Sequence, residues 1–153
     1  MSPTLRSAVM ADYAVIANWI NDAKACARWA GPQLVFPFDS ADLPALLAKP
    51  EAQAFVLIDA DKEVAGFSQF WRRDAQRVHL GRVIVSPKTR GLGYGRVLCK
   101  QLMQQAIAVT GLSVVSLRVY RDNPGALHLY SQLGFVAVEA ESNAEVLAME
   151  YSV

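Results

Sequence analysis

Val83-Ile84-Val85-Ser86-Pro87-Lys88-Thr89-Arg90-Gly91-Leu92-Gly93-Tyr94-Gly95-Arg96 reads as a β-branched strand that runs into a glycine-spaced turn and opens a helix. Glycine accepts positive φ and lets a ligand approach the main chain, and the first turn of a helix offers unpaired N–H groups with roughly half a positive charge. The stretch predicts a phosphate-binding turn at the carboxyl end of a strand, and with it a phosphorylated ligand.

The flanking sequence gives the turn a sheet to sit on. Upstream, Ala54 to Ile58 and Val64 to Trp71 form a predicted hairpin around Asp59 to Lys62, and Arg77 to Val85 continues as a third antiparallel strand. Downstream, Gly93 to Val109 carries Leu98, Leu102, Ala106 and Val109 at helical spacing, with Gly111 as its stop. It leads into the strand Val114 to Val119, so strand, helix and strand make a parallel crossover with the turn at its open end. Asn123 then caps a short helix with Pro124 at its first position and Gly134 after its last, and Phe135 to Val138 with Val146 to Met149 closes the chain as a hairpin. Before the hairpin, Leu5 to Val9 reads as a strand. Asp12 caps a helix bearing Val15, Ile16, Trp19 and Ile20, and a second helix covers Ala23 to Trp29. Ala30 to Phe38 reads as an apolar loop, and Asp39 or Ser40 caps a third helix through Lys49.

At 153 residues and 53% hydrophobic composition, the whole chain, 1–153, reads as one domain with a core of its own. Cys26 and Cys99 are too few for a disulfide framework and have no metal-like spacing, so both read as small buried thiols in a reducing, cytoplasmic setting. A net charge of +1 provides no bulk field for nucleic acid, and no apolar run reaches the ~20 residues of a membrane helix. Neither nucleic acid nor membrane is an expected partner.

A glycine turn of this kind serves several phosphate-binding motifs, and the residues around it discriminate among them. A Walker loop needs a lysine for the outer phosphates and a hydroxyl for magnesium, and the stretch has neither in place. A dinucleotide fold needs Gly-x-Gly-x-x-Gly after a first strand and an acidic residue about 20 positions on, whereas Gly91, Gly93 and Gly95 are spaced Gly-x-Gly-x-Gly behind an antiparallel meander. A merely tight connection would be served by one glycine.

Arg90-Gly91-Leu92-Gly93-Tyr94-Gly95 resembles the Arg/Gln-x-x-Gly-x-Gly/Ala signature of the GNAT superfamily of N-acetyltransferases. Asn123-Pro124-Gly125-Ala126, Tyr130 and Leu133-Gly134-Phe135 resemble the family's second signature, in the expected order and at the expected distance. The resemblance is specific from about Arg77 to Phe135. It implies an α/β fold with a mixed, mostly antiparallel sheet, one splayed parallel strand pair and flanking helices. It also implies acetyl-CoA as acyl donor, with no metal. The pyrophosphate would lie on the turn formed by Arg90, Gly91, Leu92, Gly93, Tyr94, Gly95 and Arg96. The pantetheine arm would pair with Val83, Ile84 and Val85, where a backbone amide polarises the thioester carbonyl. Asn123 would touch the arm, although capping a helix would occupy it equally well.

Direct attack on a thioester needs a free amine, and an amine of pKa near 10 is about 99.9% protonated at neutral pH, so uncovering it costs roughly 4 kcal/mol. By resemblance Tyr130 is the acid for the leaving thiolate and His79, read as sharing a strand face with Val83 and Val85, is the candidate base; a water chain is the alternative. Relatives that acetylate protein amino termini carry a Glu five residues before the Asn, where this chain has Arg118. Arg28, Trp29, Phe36, Phe38, Trp71 and Tyr120, with Glu139, Glu141 and Glu145, are the expected acceptor frame, the acids attracting an ammonium group. The expected function is N-acetylation of a primary amine on a small molecule or peptide, possible in a homodimer. A non-catalytic acyl-CoA sensing module and a protein amino-terminal acetyltransferase are the alternatives.

Overall fold

The computed structural model describes residues 3–153. Seven strands form one sheet: β1 (Thr4–Ser7), β2 (Gln53–Ile58), β3 (Val64–Arg72), β4 (Arg77–Val85), β5 (Val114–Tyr120), β6 (Val136–Ala137) and β7 (Val146–Ser152). Their order is β1-β2-β3-β4-β5-β7-β6. Every neighbouring pair is antiparallel except β4 and β5, which are parallel. The mixed sheet expected from the sequence is the observed one. The last strand inserts between β5 and the two-residue β6, and pairs with β5 along its whole length.

The helices are α1 (Met10–Ala17), α2 (Ala23–Ala30), α3 (Leu43–Leu46), α4 (Tyr94–Thr110) and α5 (Pro124–Gln132). They cover both faces of the sheet, and a separate apolar core lies under each set. Under α4 and α5, Leu102, Cys99, Ala106 and Tyr130 meet Phe70, Val78, Leu80, Val115 and Leu117. Under α1 to α3, Ile16, Cys26, Leu43 and Leu47 meet Val56 and Phe67. Strand alternation explains the division, since neighbouring Phe55 and Val56 of β2 belong to different cores. Both cysteines are buried and free, as their isolation in sequence suggests.

Two helices depart from the sequence reading. Asp12 is not the cap of α1: Val9 is, and Asp12 sits at the third helical position, where its carboxylate accepts the Val9 N–H at 2.7 Å and a forked Arg6 contact at 2.8 and 3.0 Å. Because α1 ends at Ala17, Trp19 and Ile20 pack from the following turn. The expected helix to Lys49 breaks into a 3₁₀ turn over Ser40–Asp42, capped by Asp39, and the four-residue α3. Pro44 accounts for the break, because it lacks an N–H and its ring crowds the carbonyl four residues back.

The buried Asp12 carboxylate ties β1 to α1, so Asp12→Ala is expected to cost about 2 kcal/mol, the sum of the lost hydrogen bond from the Val9 N–H and a partly exposed ion pair. Thermal unfolding should read this as a drop of roughly 5 °C.

Candidate active site

β4 and β5 are paired only from Arg77 opposite Val114 to His79 opposite Ser116. Beyond that rung they part, while β4 keeps its pairing with β3. The cause lies in β4. Between Gly81 opposite Gln69 and Ile84 opposite Phe67, two residues, Arg82 and Val83, face Ser68 alone, and Arg82 has φ of 55°. This is a β-bulge, which bends and twists its strand away from one neighbour. Side chains hold it: Ser68 Oγ donates to the Gly81 carbonyl at 2.9 Å, and Trp29 Nε1 on α2 donates to the Arg82 carbonyl at 2.9 Å.

The extra residue also exchanges the faces of the strand. Val83 packs into the core under α4 and α5, and Ile84 into the opposite core. Val85 lies on the side of Val83, close to Gly95 of α4. His79 points with Gly81 and Arg82 to the other side, so the expectation that it shares a face with Val83 and Val85 is corrected by the bulge.

The parted strands frame a cleft of about 130 Å³, lined on one side by Leu80 to Val83 and on the other by Leu117 to Tyr120. Asn123, Ala126 and Tyr130 close its α5 end, and Arg28 and Trp29 its α2 end. Asn123 Oδ1 accepts the Ala126 N–H at 3.2 Å, so the capping role is present, while its amide nitrogen has no partner among the described residues. Burial pushes the Tyr130 phenol well above its ordinary range, and the adjacent Cys99 adds to the shift. Tyr130 therefore stays protonated and offers an O–H. Cys99 is itself pushed up to about 12 by burial and is inert as a nucleophile.

The glycine turn follows the far end of β4. Gly91 and Gly93 have φ of 81°, and Gly93 begins α4 with no side-chain cap. The N–H groups of Gly91 and Gly93 meet no acceptor among the described residues, and those of Tyr94, Gly95 and Arg96 lie in the first helical turn, where no intrahelical partner exists. Leu92 stands exposed at the tip. Arg90 bends back so that Nε donates to the Val85 carbonyl at 3.3 Å, and Arg96 reaches Gln132 at 3.3 Å. Five open amides along one turn, a helix amino terminus and two guanidinium groups fit a pyrophosphate.

On the α2 side the cleft opens into a cavity of about 420 Å³. His79 stands in its wall, its ring 5.2 Å from that of Trp71 and its Nδ1 2.8 Å from Ser116 Oγ, beside the rung where the strands part. Burial, then the charges of Arg73, Arg118, Lys49 and Arg77, bring His79 down from 6.5 to about 4. It is neutral at physiological pH, an acceptor of hydrogen bonds but a weak proton acceptor. Trp71 lies flat across β4 because Gly81 has no side chain: a Cβ there would stand 2.3 Å from the indole.

The acceptor frame expected from the sequence assembles in part. Arg28, Trp29, Trp71 and Tyr120 line the cavity, and Arg28 stacks over Tyr120 at 4.2 Å. Phe36 and Phe38 meet edge to face and pack against the core under α1 to α3. The three glutamates are elsewhere. Glu139 pairs with Arg121, Glu141 with Arg73 and Arg77, and Glu145 lies in a neighbouring hollow beside Arg28 and Arg121. In their stead the wall holds Lys49, Arg82 and Arg118. Lys49 and Arg82 have no signal in sequence that separates them from surface charge.

An amide-lined turn for a pyrophosphate, continued by a cleft between splayed parallel strands, defines an acyl-CoA-dependent transferase. Residues 19–135 match the Acetyltransferase (GNAT) family, and the chain belongs to it. Its reaction is transfer of an acetyl group from acetyl-CoA to an amine. The spermidine N(1)-acetyltransferase of Vibrio cholerae is 28% identical over 141 residues, covering 87% of this chain and 78% of that protein. The streptothricin acetyltransferase of Streptomyces lavendulae is 33% identical over 89 residues, 56% of this chain and 45% of that one. A crystal structure of the Vibrio cholerae spermidine N-acetyltransferase in complex with CoA and spermine superposes with a TM-score of 0.79 at 24% identity, over 99% of this chain and 95% of that one. No helix among the described residues is long and apolar enough to cross a membrane.

His79 gives a pH signature. The unfolded state binds its proton near 6.5 and the folded state only near 4, so stability falls as pH drops through this window, by about 3 kcal/mol, and falls no further below it through this group. His79→Gln should flatten that part of the stability profile in urea unfolding, and the wild-type His79 ring resonances should stay constant above pH 6.

Proposed function

We propose that this chain acetylates a primary amine of a small molecule by direct attack on the thioester, with donor and acceptor meeting where β4 and β5 part. The observation that carries this reading is the continuity of the cleft: Tyr130 and Asn123 stand at one end and the His79 cavity opens from the other. Acetyl-CoA supplies the activated acyl group. The amides of Gly91, Gly93, Tyr94, Gly95 and Arg96, with Arg90, hold its pyrophosphate, and Val83 to Val85 present free strand edge to the pantetheine arm. Asn123 offers its amide nitrogen to the same arm.

Residues on the acceptor side lower the cost of uncovering the amine. An ammonium among Lys49, Arg82 and Arg118 is disfavoured by like charge, so its proton leaves more readily than in water. Neutral His79 accepts a hydrogen bond from the amine and does not repel it. Strong proton abstraction is not its role, because a group titrating near 4 is too weak a base for it; water in the open cavity carries the proton away. Tyr130 gives its O–H to the leaving sulfur and is reprotonated from solvent, since its raised pKa makes it a persistent donor.

The spermidine named in the Vibrio cholerae relative does not transfer directly, because a polycation meets like charge on these walls. A homodimer belongs to the same proposal. The sheet ends on β6, a two-residue edge whose Val136 is exposed, and a second copy is the partner that would cover it.

Release of free thiol across a broad amine panel tests the reading. Tyr130→Phe is expected to bind acetyl-CoA within about threefold of the wild type and to lose roughly 10²-fold in kcat. Unchanged kcat would remove Tyr130 from the chemistry. Acetyl-CoA binding without thiol release for any amine would leave a sensing module.

A further inference from the structure

The cavity beyond His79 holds an uncompensated positive charge. Lys49 Nζ lies 5.0 Å and Arg82 Cζ 5.3 Å from the centre of the Trp71 ring, so one indole carries two cations. Arg118 lines the same wall from β5. Among the described residues no carboxylate lines this cavity, and Lys49, Arg82 and Arg118 form no ion pair. Of the acids around it, Asp122 is paired with Arg28, Glu141 with Arg73 and Arg77, and Glu145 lies outside in the neighbouring hollow beside Arg28 and Arg121. Like charges gathered without a counter-ion repel, and the fold keeps them together at a cost that an anion would remove.

Arg82 is the clearest member. Its position is fixed by the bulge and by Nη1, which donates to the Leu47 carbonyl at 2.7 Å and to Gln69 Oε1 at 2.8 Å. Nε and Nη2 have no acceptor among the described residues. No fully buried side-chain nitrogen or oxygen lacks a partner among the described residues, so these two donors are open, and the space that Arg82 lines is the cleft and cavity. A guanidinium fixed along one edge with the other edge free is arranged for bidentate recognition of a planar anion. Burial of Arg82 works against its own charge, which an anion would relieve.

We propose that the acceptor is a primary amine that itself carries a carboxylate, a free amino acid or an ω-amino acid, held by Arg82 with Lys49 and Arg118 while its amine lies beside His79 at the cleft. This specifies the substrate class of the acetyl transfer proposed above and rests on that reading. Carboxylate binding supplies the orientation that a bare amine lacks in an open cavity. It also separates the acceptor from polyamines, which bring only more positive charge.

The test uses the full chain saturated with CoA. Calorimetry measures binding of α- and ω-amino acids, their carboxamides, and diamines of equal chain length, and thiol release from acetyl-CoA measures turnover of the same compounds. The best amino acid should bind at least about tenfold tighter than its amide and more tightly still than the diamine. Arg82→Gln should bring that ratio close to one. Lys49→Met and Arg118→Met, which remove side chains with no hydrogen bond of their own, should each reduce it several-fold, so the result does not hang on whether the Arg82 variant folds. Amides or diamines binding as well as amino acids, or a ratio unchanged in all three variants, would overturn the proposal. The two readings fail separately: amino acids that bind but are never acetylated sink the transfer reading and leave the anion site standing. Amines acetylated without regard to a carboxylate do the reverse.

Discussion

One extra residue in β4 sets the geometry on which the rest of the site depends. A regular parallel pair would close β4 onto β5 with evenly spaced hydrogen bonds, leaving no room for a ligand between them. With Arg82 and Val83 facing a single residue of β3, β4 turns off its course, and pairing to β5 ends at His79 and Ser116. The left-handed backbone at Arg82 costs about 1 kcal/mol. The hydrogen bonds from Trp29 to the backbone carbonyl and from the guanidinium to Leu47 and Gln69 offset it. Those partners come from α2, the segment after α3 and β3, so three parts of the chain enforce one bend.

The same bulge links the two halves of the chemistry. Before it, odd-numbered residues of β4 face α1 and α2, placing His79 in the cavity on that side; after it, Val83 and Val85 face α4 and α5, on the side of the glycine turn and Tyr130. Strand alternation would have put the histidine and the two valines on one side. Arg82 is therefore both the hinge of the strand and, through its open Nε and Nη2, a charge that lines the cleft. The electrostatics agree with this geometry: a neutral histidine and a protonated tyrosine stand on opposite sides of the cleft, each shifted chiefly by burial.

What the sequence made legible follows from local rules. Gly91, Gly93 and Gly111 need positive φ, and Asn123, Pro124 and Gly134 bracket a helix, so the turn and α5 were predicted nearly to the residue. Strand patterns gave the meander of β2, β3 and β4 and the crossover to β5. The bulge was hidden, because nothing in Gly-Arg-Val-Ile marks an arginine with φ of 55°. The exchanged face of His79 relative to Val83 and Val85 descends from it. The family resemblance places the last hairpin on the acceptor frame and so points to Glu139, Glu141 and Glu145, and only tertiary structure assigns two of them to Arg121, Arg73 and Arg77. Lys49 and Arg82 converge on Trp71 from positions 33 residues apart in sequence, a meeting that no periodicity announces.

The parted edge of β4 is the proposed seat of the acyl donor's arm. Amide hydrogen exchange, followed by mass spectrometry with and without CoA, tests this directly. Binding should slow exchange in residues 83–85 and 91–96 together, with β2 unchanged. Protection of the glycine turn with none in 83–85 would contradict the account, because the parted strands would then be a feature of the fold and not the path of the ligand.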